Sequence, residues 1–238
     1  MPTKEDLLLE KRRYGLPQTI SFFEEKQLEK GTPVQKIIGY IEMQDVVIDV
    51  THNVLIPRYE TEELIIKVKN DNKGKTNLKV LDLCTGSGFI GLALKKANPT
   101  WDIYMSDISN EAITQANINA KKNDLDVKVI QSDLFKKINV NDFDVIVSNP
   151  PYISYDEKLS NSVLHFEPHN ALFADDQGLY FYKEIIKQAK SKLKENGSLY
   201  FEINPFHIDW WILQKEKYNI EILKDINNKD RIVKLTYK

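Results

Sequence analysis

The feature that constrains the fold most is the alternation of strand-like and helix-like segments that begins at Leu78. Short apolar segments are separated by stretches long enough for crossover helices, a pattern that implies parallel strand pairing. The predicted strands cover residues 78–83, 102–107, 127–131, 143–148 and 198–203, with helices beginning near Phe89, Asn110 and Gly178.

The last two apolar segments complete the predicted sheet. Residues 218–225 and 231–238 leave no room for a helix between them, so they are expected to form an antiparallel hairpin at the sheet edge. The chain is therefore predicted to be an α/β protein with a doubly wound, seven-stranded, mostly parallel sheet.

Two smaller units are predicted before this sheet. Residues 1–35 contain two short helical stretches and are interpreted as a helical arm. Residues 36–58 include apolar and polar positions that alternate around Gln44 and Asp45, as in a β-hairpin. This hairpin would link the arm to the main domain, predicted to span 59–238.

The balance of charges and the single cysteine limit the classes of function. The chain has 33 Lys and Arg residues against 35 Asp and Glu residues, so no overall field favours a nucleic-acid backbone or an anionic membrane. Cys84 has no partner for an internal disulfide, and the N-terminal segment has neither an apolar signal core nor a membrane span. We therefore expect a cytoplasmic protein without membrane or direct nucleic-acid binding. The four histidines lack zinc-ligand spacing, so no metal site is expected.

A glycine-rich turn follows the first strand of the main domain, in the sequence LDLCTGSGFIGLAL at residues 81–94. Gly86 and Gly88 allow a sharp turn and a close approach between the backbone and a ligand. Together with Gly91 they satisfy the G-x-G-x-x-G pattern, and Asp107 follows at the spacing of a ribose-binding acid. A nicotinamide or flavin site is therefore one reading of this turn.

Asp82 favours a different ligand, because it places a carboxylate before the glycines, where dinucleotide sites usually have an apolar residue or another glycine. A carboxylate suits a ligand with a cationic head, such as the ammonium and sulfonium groups of S-adenosylmethionine. The D-x-x-T-G-x-G arrangement resembles the first motif of the class I methyltransferases, which have a Rossmann-like fold and use this cofactor.

This resemblance implies a set of cofactor-binding residues. The loop from Asp82 would hold the methionine part, Asp107 the ribose hydroxyls and Asp133 the adenine amino group. Leu134 and Phe135 either cover the adenine ring or belong to the core. The implied cofactor-binding residues are Asp82, Leu83, Cys84, Thr85, Gly86, Gly88, Asp107, Ile108, Asp133, Leu134 and Asn149.

The fourth strand ends in SNPPYI, at the carboxyl end of the sheet where open α/β folds bind ligands. A planar NH2 group is a poor nucleophile because its lone pair is delocalised, so its hydrogens must be held and its nitrogen aimed. The Asn149 side-chain oxygen and the Pro150 carbonyl can accept these hydrogens, and Tyr152 can stack on the planar group. We therefore predict methyl transfer to a planar nitrogen, with Asn149, Pro150 and Tyr152 as catalytic residues.

An adenine amino group and a glutamine side chain both offer such a nitrogen. An enzyme acting on adenine in DNA or RNA must flip the base and bind phosphates, and the sequence shows no basic excess or target-reading segment. VLIPRYETEELI at 54–65 resembles the L-I-P-R-x-E-T-E segment of the peptide chain release factor glutamine methyltransferases. The resemblance continues through GTPVQKIIGY, DLCTGSG, SNPPYI, HFEPHNALF and DRIV, and it covers residues 31–238.

Membership of that family would imply methylation of the glutamine in the Gly-Gly-Gln motif of release factors. Separately, the protein is expected to be a monomer. The implied substrate-binding residues are Asn149, Pro150, Pro151, Tyr152, Arg58 and Glu167. Arg58 and Glu60 are alternatively an ion pair that fixes the arm, and the loop with Glu167 could close as a lid. An adenine methyltransferase and a binding module without turnover remain alternative functions.

Two segments depart from the family pattern. The helical region before GTPVQ is shorter than usual, and EINPFH at 202–207 replaces a usual Glu-Ile-Gly-x-x-Gln. Neither change touches the SNPPYI corner. The chemistry is therefore expected to be retained even if recognition of the partner differs.

Overall fold

The computed structural model describes residues 1–238 and contains nine α-helices and nine β-strands. The helices α1 to α9 are Lys4–Arg13, Phe22–Glu29, Val34–Ile38, Tyr59–Asp71, Phe89–Ala97, Asn110–Lys122, Asn161–Phe166, Tyr180–Ala189 and Ile208–Gln214. The strands β1 to β9 are Tyr40–Met43, Val46–Asp49, Lys79–Leu83, Asp102–Asp107, Lys128–Gln131, Phe143–Ser148, Leu193–Glu202, Tyr218–Lys224 and Asp230–Tyr237. None of the helices is both long and apolar enough to cross a membrane.

The N-terminal arm consists of α1, α2 and the short α3. Thr3 and Ser21 begin the first two helices, and each exchanges hydrogen bonds with an acidic residue three positions later, which satisfies backbone N–H groups of the first turn. Leu7, Leu28 and Val34 form a small core between the three helices. The arm thus has local order of its own, as the sequence predicts.

The strands β1 and β2 form the predicted hairpin. Gln44 and Asp45 connect them with φ angles of 49° and 60°, the left-handed conformation that a two-residue hairpin turn requires. The predicted hairpin segment starts at residue 36, but residues 36–38 belong to α3 and Gly39 ends that helix, so these four positions are not part of the hairpin. Pro33 precedes that helix and Gly39 ends it with a φ of 92°, so the chain becomes extended only at Tyr40.

Amide side chains on α6 bond the free edge of β2. Asn123 exchanges two hydrogen bonds with the backbone of Val47, and Asn119 does the same with Asp49. Gln115 accepts a further hydrogen bond from the N–H of His52 at 2.9 Å. These side chains lie four residues apart on one helix face and replace a neighbouring strand. These hydrogen bonds therefore attach the hairpin to the main domain.

The main sheet has the strand order β5-β4-β3-β6-β7-β9-β8. The strands β3 to β7 pair in parallel, whereas β9 pairs antiparallel with both β7 and β8. The predicted seven-stranded, mostly parallel sheet with a C-terminal hairpin is thus confirmed. β7 begins five residues earlier than predicted, because the polar residues 194–196 continue the strand beyond an irregularity in its pairing with β6.

Hydrophobic clusters cover both faces of the sheet. Val80 belongs to a cluster with α4, α5 and Trp101, whereas the adjacent Leu81 belongs to a second cluster with α8 and Trp211. Alternate side chains of a strand point to opposite faces, so the central strands carry apolar residues on both faces of the sheet. After β5 the chain returns to the other side of β3 to form β6. This reversal between β3 and β6 creates the crevice in which doubly wound folds bind ligands.

Candidate active site

A cavity of about 340 Å³ lies at this crevice, beyond the carboxyl ends of the parallel strands. Its walls come from the loops after β3, β4, β5 and β6, from the segment that leaves the hairpin and from the start of α8. Ten predicted site residues line it: Leu83, Cys84, Thr85, Gly86, Asp107, Ile108, Asp133, Leu134, Asn149 and Pro151. Sequence reasoning thus brought together residues from four separate strand ends.

The glycines of the loop after β3 have different structural roles. Gly86 has a φ of 54°, and a Cβ there would meet no atom within 4 Å, so its backbone borders open space. A Cβ at Gly88 would lie 3.3 Å from Ala116 on α6, and one at Gly91 would lie 2.6 Å from Met105 on β4. Gly86 therefore leaves room for a ligand, whereas Gly88 and Gly91 allow close packing of the helices.

Asp107 fixes the loop at the cavity wall. One carboxylate oxygen accepts a hydrogen bond from the N–H of Gly86 and the other accepts one from the N–H of Ser109, both at 2.9 Å. Desolvation raises the pKa of Asp107 above its usual value, while these N–H groups act in the opposite direction. Each oxygen retains a lone pair that can accept a hydrogen bond from a ligand hydroxyl.

Asp82 lies behind the glycine-rich loop and does not line the cavity. Its Oδ2 atom accepts hydrogen bonds from the N–H of Gly91 and the hydroxyl of Thr85, whereas its Oδ1 atom is buried without a partner. Burial raises the pKa of Asp82 to about 7. An incompletely paired carboxylate behind the loop is consistent with a ligand whose head is cationic. The buried hydroxyl of Ser106, on the cavity wall, also lacks a partner.

The residues predicted for the adenine side occupy different environments. Asp133 lines the cavity, but its half-exposed carboxylate pairs with Lys136 at 2.6 Å. Leu134 lines the cavity with a φ of 45° and is buried. Phe135 packs in the core and does not reach the cavity. Ile108 lies on the rim and is exposed.

Cys84 is partly buried in this loop, and its environment does not favour the thiolate that a nucleophile requires. The residue has a φ of 61°, and desolvation raises the pKa of its thiol well above the usual range. Its side chain packs against the apolar cluster on the α8 face of the sheet. No group of three or more His, Cys, Asp or Glu side chains is arranged to hold a metal ion.

The SNPPYI corner follows β6 and is organised by Glu202 at the end of β7. The side-chain amide of Asn149 donates a hydrogen bond to Glu202 at 2.9 Å, and the hydroxyl of Tyr152 donates another at 3.1 Å. Asn149 and Pro151 line the cavity, whereas Pro150 and Tyr152 do not. Glu202 was not predicted as a site residue. The available signal was its place in the sequence, as an acidic residue at the end of the strand next to the one that carries SNPPYI.

Arg58 and Glu167 form an ion pair that joins two segments flanking the cavity. Glu167 is buried and also accepts a hydrogen bond from the N–H of Ile56 at 3.2 Å. The pair joins the segment before α4 to the segment after SNPPYI, so the partner of Arg58 is Glu167, and the alternative of an ion pair with Glu60 that fixes the arm is not observed. Neither side chain lines the cavity. The cavity wall also includes residues that were not predicted as site residues, among them Asn53, Pro57, Pro168, Asn170, Ala171, Tyr180 and Phe181.

Comparisons with known proteins agree with this geometry. The methyltransferase small domain family matches residues 60–167. The release factor glutamine methyltransferase of Lactococcus lactis subsp. lactis is 43% identical over 216 residues, which are 87% of this chain and 78% of the relative. The protein of the same name from Flavobacterium psychrophilum is 38% identical over 89% of this chain and 78% of the relative.

Solved structures share the fold at low sequence identity. A methyltransferase from Pyrococcus furiosus has a TM-score of 0.63 and 15% identity, and it is covered over 98% of its length by 91% of this chain. A T. thermophilus 16S rRNA methyltransferase, solved with AdoMet and guanosine, also has a TM-score of 0.63 and is 18% identical. The comparison covers 84% of this chain and 50% of the rRNA enzyme.

The doubly wound sheet, the glycine-rich loop with its acidic neighbours and the asparagine–proline corner together define a class I S-adenosylmethionine-dependent methyltransferase. Within this class, the sequence identity to the two relatives over most of the chain shows to which family it belongs. The chain belongs to the release factor glutamine methyltransferase family, and the resemblance seen in the sequence is thereby confirmed.

Proposed function

We propose that this protein transfers a methyl group from S-adenosylmethionine to the side-chain amide nitrogen of the glutamine in the Gly-Gly-Gln motif of release factors. The observation that carries this proposal is the orientation of Asn149. Its amide nitrogen is held by Glu202, whereas its Oδ1 atom has no hydrogen-bond partner within the chain and is not among the buried unpaired atoms. An acceptor on the cavity wall therefore remains available for a substrate N–H.

The nucleophile of this reaction is activated by position rather than by a strong base. Asn149 Oδ1 would accept one hydrogen of the glutamine NH2 group. The carbonyl of Pro150, which lacks a partner within the chain but does not line the cavity, would have to be reached by the substrate to accept the other. Holding both hydrogens aims the nitrogen and favours pyramidal geometry as positive charge develops on it. The prolines contribute no N–H that could compete for these acceptors, and they fix the backbone direction.

The loops after β3, β4 and β5 would hold the cofactor, which supplies the activated methyl group. Asp107 would accept hydrogen bonds from the ribose hydroxyls, and Leu134 would pack against the adenine ring. Asp133 would bind the adenine amino group. The backbone at Gly86 leaves space for the methionine part, with the carboxylate of Asp82 behind the loop favouring its cationic groups.

The remaining cavity wall would contact the peptide on either side of the glutamine. Pro168, Asn170 and Ala171 come from the segment after SNPPYI, and Tyr180 and Phe181 come from the start of α8. Glu167, next to this wall, is tied to Arg58 and to the backbone of Ile56. We propose that this segment guides the glutamine-bearing loop and that the enzyme acts as a monomer.

Competition between two kinds of substrate tests the proposed function. Purified protein is incubated with S-adenosylmethionine carrying a labelled methyl group, and with either a release factor or adenine-containing DNA and RNA. We expect label only in the release factor, at a rate that added nucleic acid does not reduce. Transfer to adenine, or cofactor binding without transfer to either substrate, would overturn the proposal. Light scattering of the same sample tests the monomer.

A further inference from the structure

Glu202 is a buried carboxylate on which three side-chain donors converge. The hydroxyl of Thr61 lies 2.6 Å from it, the amide nitrogen of Asn149 lies 2.9 Å away and the hydroxyl of Tyr152 lies 3.1 Å away. The residue is 1% exposed and ends β7, the strand next to the one that carries SNPPYI. It thus links the start of α4 to the catalytic corner.

A carboxylate in this place determines which end of the Asn149 amide faces the cavity. Burial raises the pKa of Glu202, whereas the hydroxyls of Thr61 and Tyr152 that donate to it favour the ionised form. In that form the carboxylate accepts hydrogen bonds and cannot donate them, so the nitrogen of Asn149 faces Glu202 and the oxygen faces away. In the flipped orientation, the Asn149 NH2 group would face the cavity and point its hydrogens at the substrate's own NH2 group. Such a pair of donors cannot hold or aim a nucleophile.

We propose that Glu202 is a positioning residue that fixes the catalytic orientation of Asn149, and that Thr61 and Tyr152 keep its carboxylate in place. This inference rests on the proposed function, because it assigns the orientation a role in methyl transfer to a planar nitrogen. Glu202 does not line the cavity and acts through Asn149. If Glu202 only stabilised the fold, the rate of methyl transfer would not depend on which atom of residue 149 faces the cavity.

Two isosteric substitutions separate direction from shape. In Glu202→Gln, an NH2 group can take the place of the oxygen that faces Asn149, so the side chain at position 202 no longer requires the nitrogen of Asn149 on that side. In Asn149→Asp, two carboxylates face each other across the same contact. In the double variant, the amide at position 202 donates to the carboxylate at position 149, whose other oxygen again faces the cavity as an acceptor. The double variant thus restores an acceptor oxygen that faces the cavity, although the hydrogen bond between positions 202 and 149 runs in the opposite direction to that of the wild type.

The test measures kcat and KM for methylation of a release factor, together with cofactor affinity by calorimetry. We expect Glu202→Gln to lower kcat by about two orders of magnitude, the loss typical of a removed preorganised group, with cofactor affinity unchanged within about twofold. The double variant should exceed both single variants in kcat. Glu221→Gln, at a half-exposed carboxylate paired with Lys67, serves as a matched control and should leave kcat unchanged.

A second readout does not depend on activity. The side-chain NH2 group of Asn149 should exchange its hydrogens slowly in the wild type, because Glu202 holds it, and faster in Glu202→Gln. Equal exchange in the two proteins, full activity of Glu202→Gln or a double variant no better than the weaker single variant would overturn the inference. If the wild type fails to methylate the release factor but shows this difference in exchange, the proposed function fails while the positioning by Glu202 stands.

Discussion

The side chain of Asn119 on α6 satisfies both backbone polar groups of Asp49 on β2, donating to its carbonyl oxygen at 3.0 Å and accepting from its N–H at 2.8 Å. The same amide donates to the carbonyl of Ser87 in the glycine-rich loop at 2.8 Å. One buried side chain therefore connects the hairpin to the cofactor loop. Residues just after the hairpin, including Asn53 and Pro57, line the cavity, so this connection shapes the site.

Removing this amide should destabilise the protein. We expect Asn119→Ala to lower the free energy of unfolding by about 2 to 4 kcal/mol, because three hydrogen bonds are lost and buried backbone groups are left unpaired. Urea denaturation measures the change. Asn117→Ala, on the same helix, removes an exposed side chain that bonds only within α6, and it should cost less than about 0.5 kcal/mol. Equal losses in the two variants would contradict the proposed role of Asn119.

Loss of the Asp107 carboxylate should weaken cofactor binding. Asp107→Ala removes two hydrogen bonds that hold the loop and the acceptors expected for the ribose, so we expect the Kd for S-adenosylmethionine to rise about 10- to 100-fold. Isothermal titration calorimetry measures the affinity. Asp102→Ala, at the opposite end of β4, removes an exposed carboxylate paired with Lys128 and should leave the Kd unchanged. An unaltered Kd in Asp107→Ala would show that this carboxylate has no part in the cofactor site.

Stability should depend on pH through Asp82. Burial raises its pKa from the usual 3.8 to about 7, so the folded chain binds this proton more tightly than the unfolded chain does. The free energy of unfolding should therefore fall as the pH rises from about 4 to about 7, and level off above, by a contribution on the order of 4 kcal/mol. Denaturation without cofactor at pH 5 and pH 8 should show a smaller fall for Asp82→Asn than for the wild type. Asp126→Asn, at an exposed carboxylate, should behave like the wild type.

The ion pair between Arg58 and Glu167 should control the order of the segment after SNPPYI. Arg58→Ala leaves the buried carboxylate of Glu167 with only the N–H of Ile56 as a partner, so we expect faster hydrogen exchange over residues 154–171. The loss of stability should be about 1 to 3 kcal/mol, because the Arg58 side chain is partly exposed. Arg12→Ala, at an exposed arginine of the arm, is the control. Unchanged exchange over the segment would exclude this role of the pair.

The main elements of the fold were predictable because their signals are local. Apolar strands bounded by turns identify β3 to β9, and glycine and proline punctuate the two binding loops. The short helix α3 was missed because five residues carry no periodic signal, and only Pro33 and Gly39 show where it begins and ends. That the site loops lie close together was predictable, because the carboxyl ends of parallel strands all lie at the same edge of the sheet.

Pairings between distant side chains were not predictable in the same way. Glu202 lies 53 positions from Asn149, and Glu167 lies 109 positions from Arg58. Their contacts depend on the order of β6 and β7 in the sheet and on the path of the loop, neither of which a single segment encodes. The polar residues of α6 likewise resemble an ordinary solvated helix face until the hairpin is placed against them.

The most direct test of the account is the mass of the Gly-Gly-Gln peptide from a release factor after incubation with this protein and S-adenosylmethionine, with Asn149→Ala alongside. We expect a gain of one methyl group on that glutamine with the wild type and none with the variant. A methyl group on another residue, or equal methylation by Asn149→Ala, would contradict the central claim that the asparagine–proline corner directs methyl transfer to this amide.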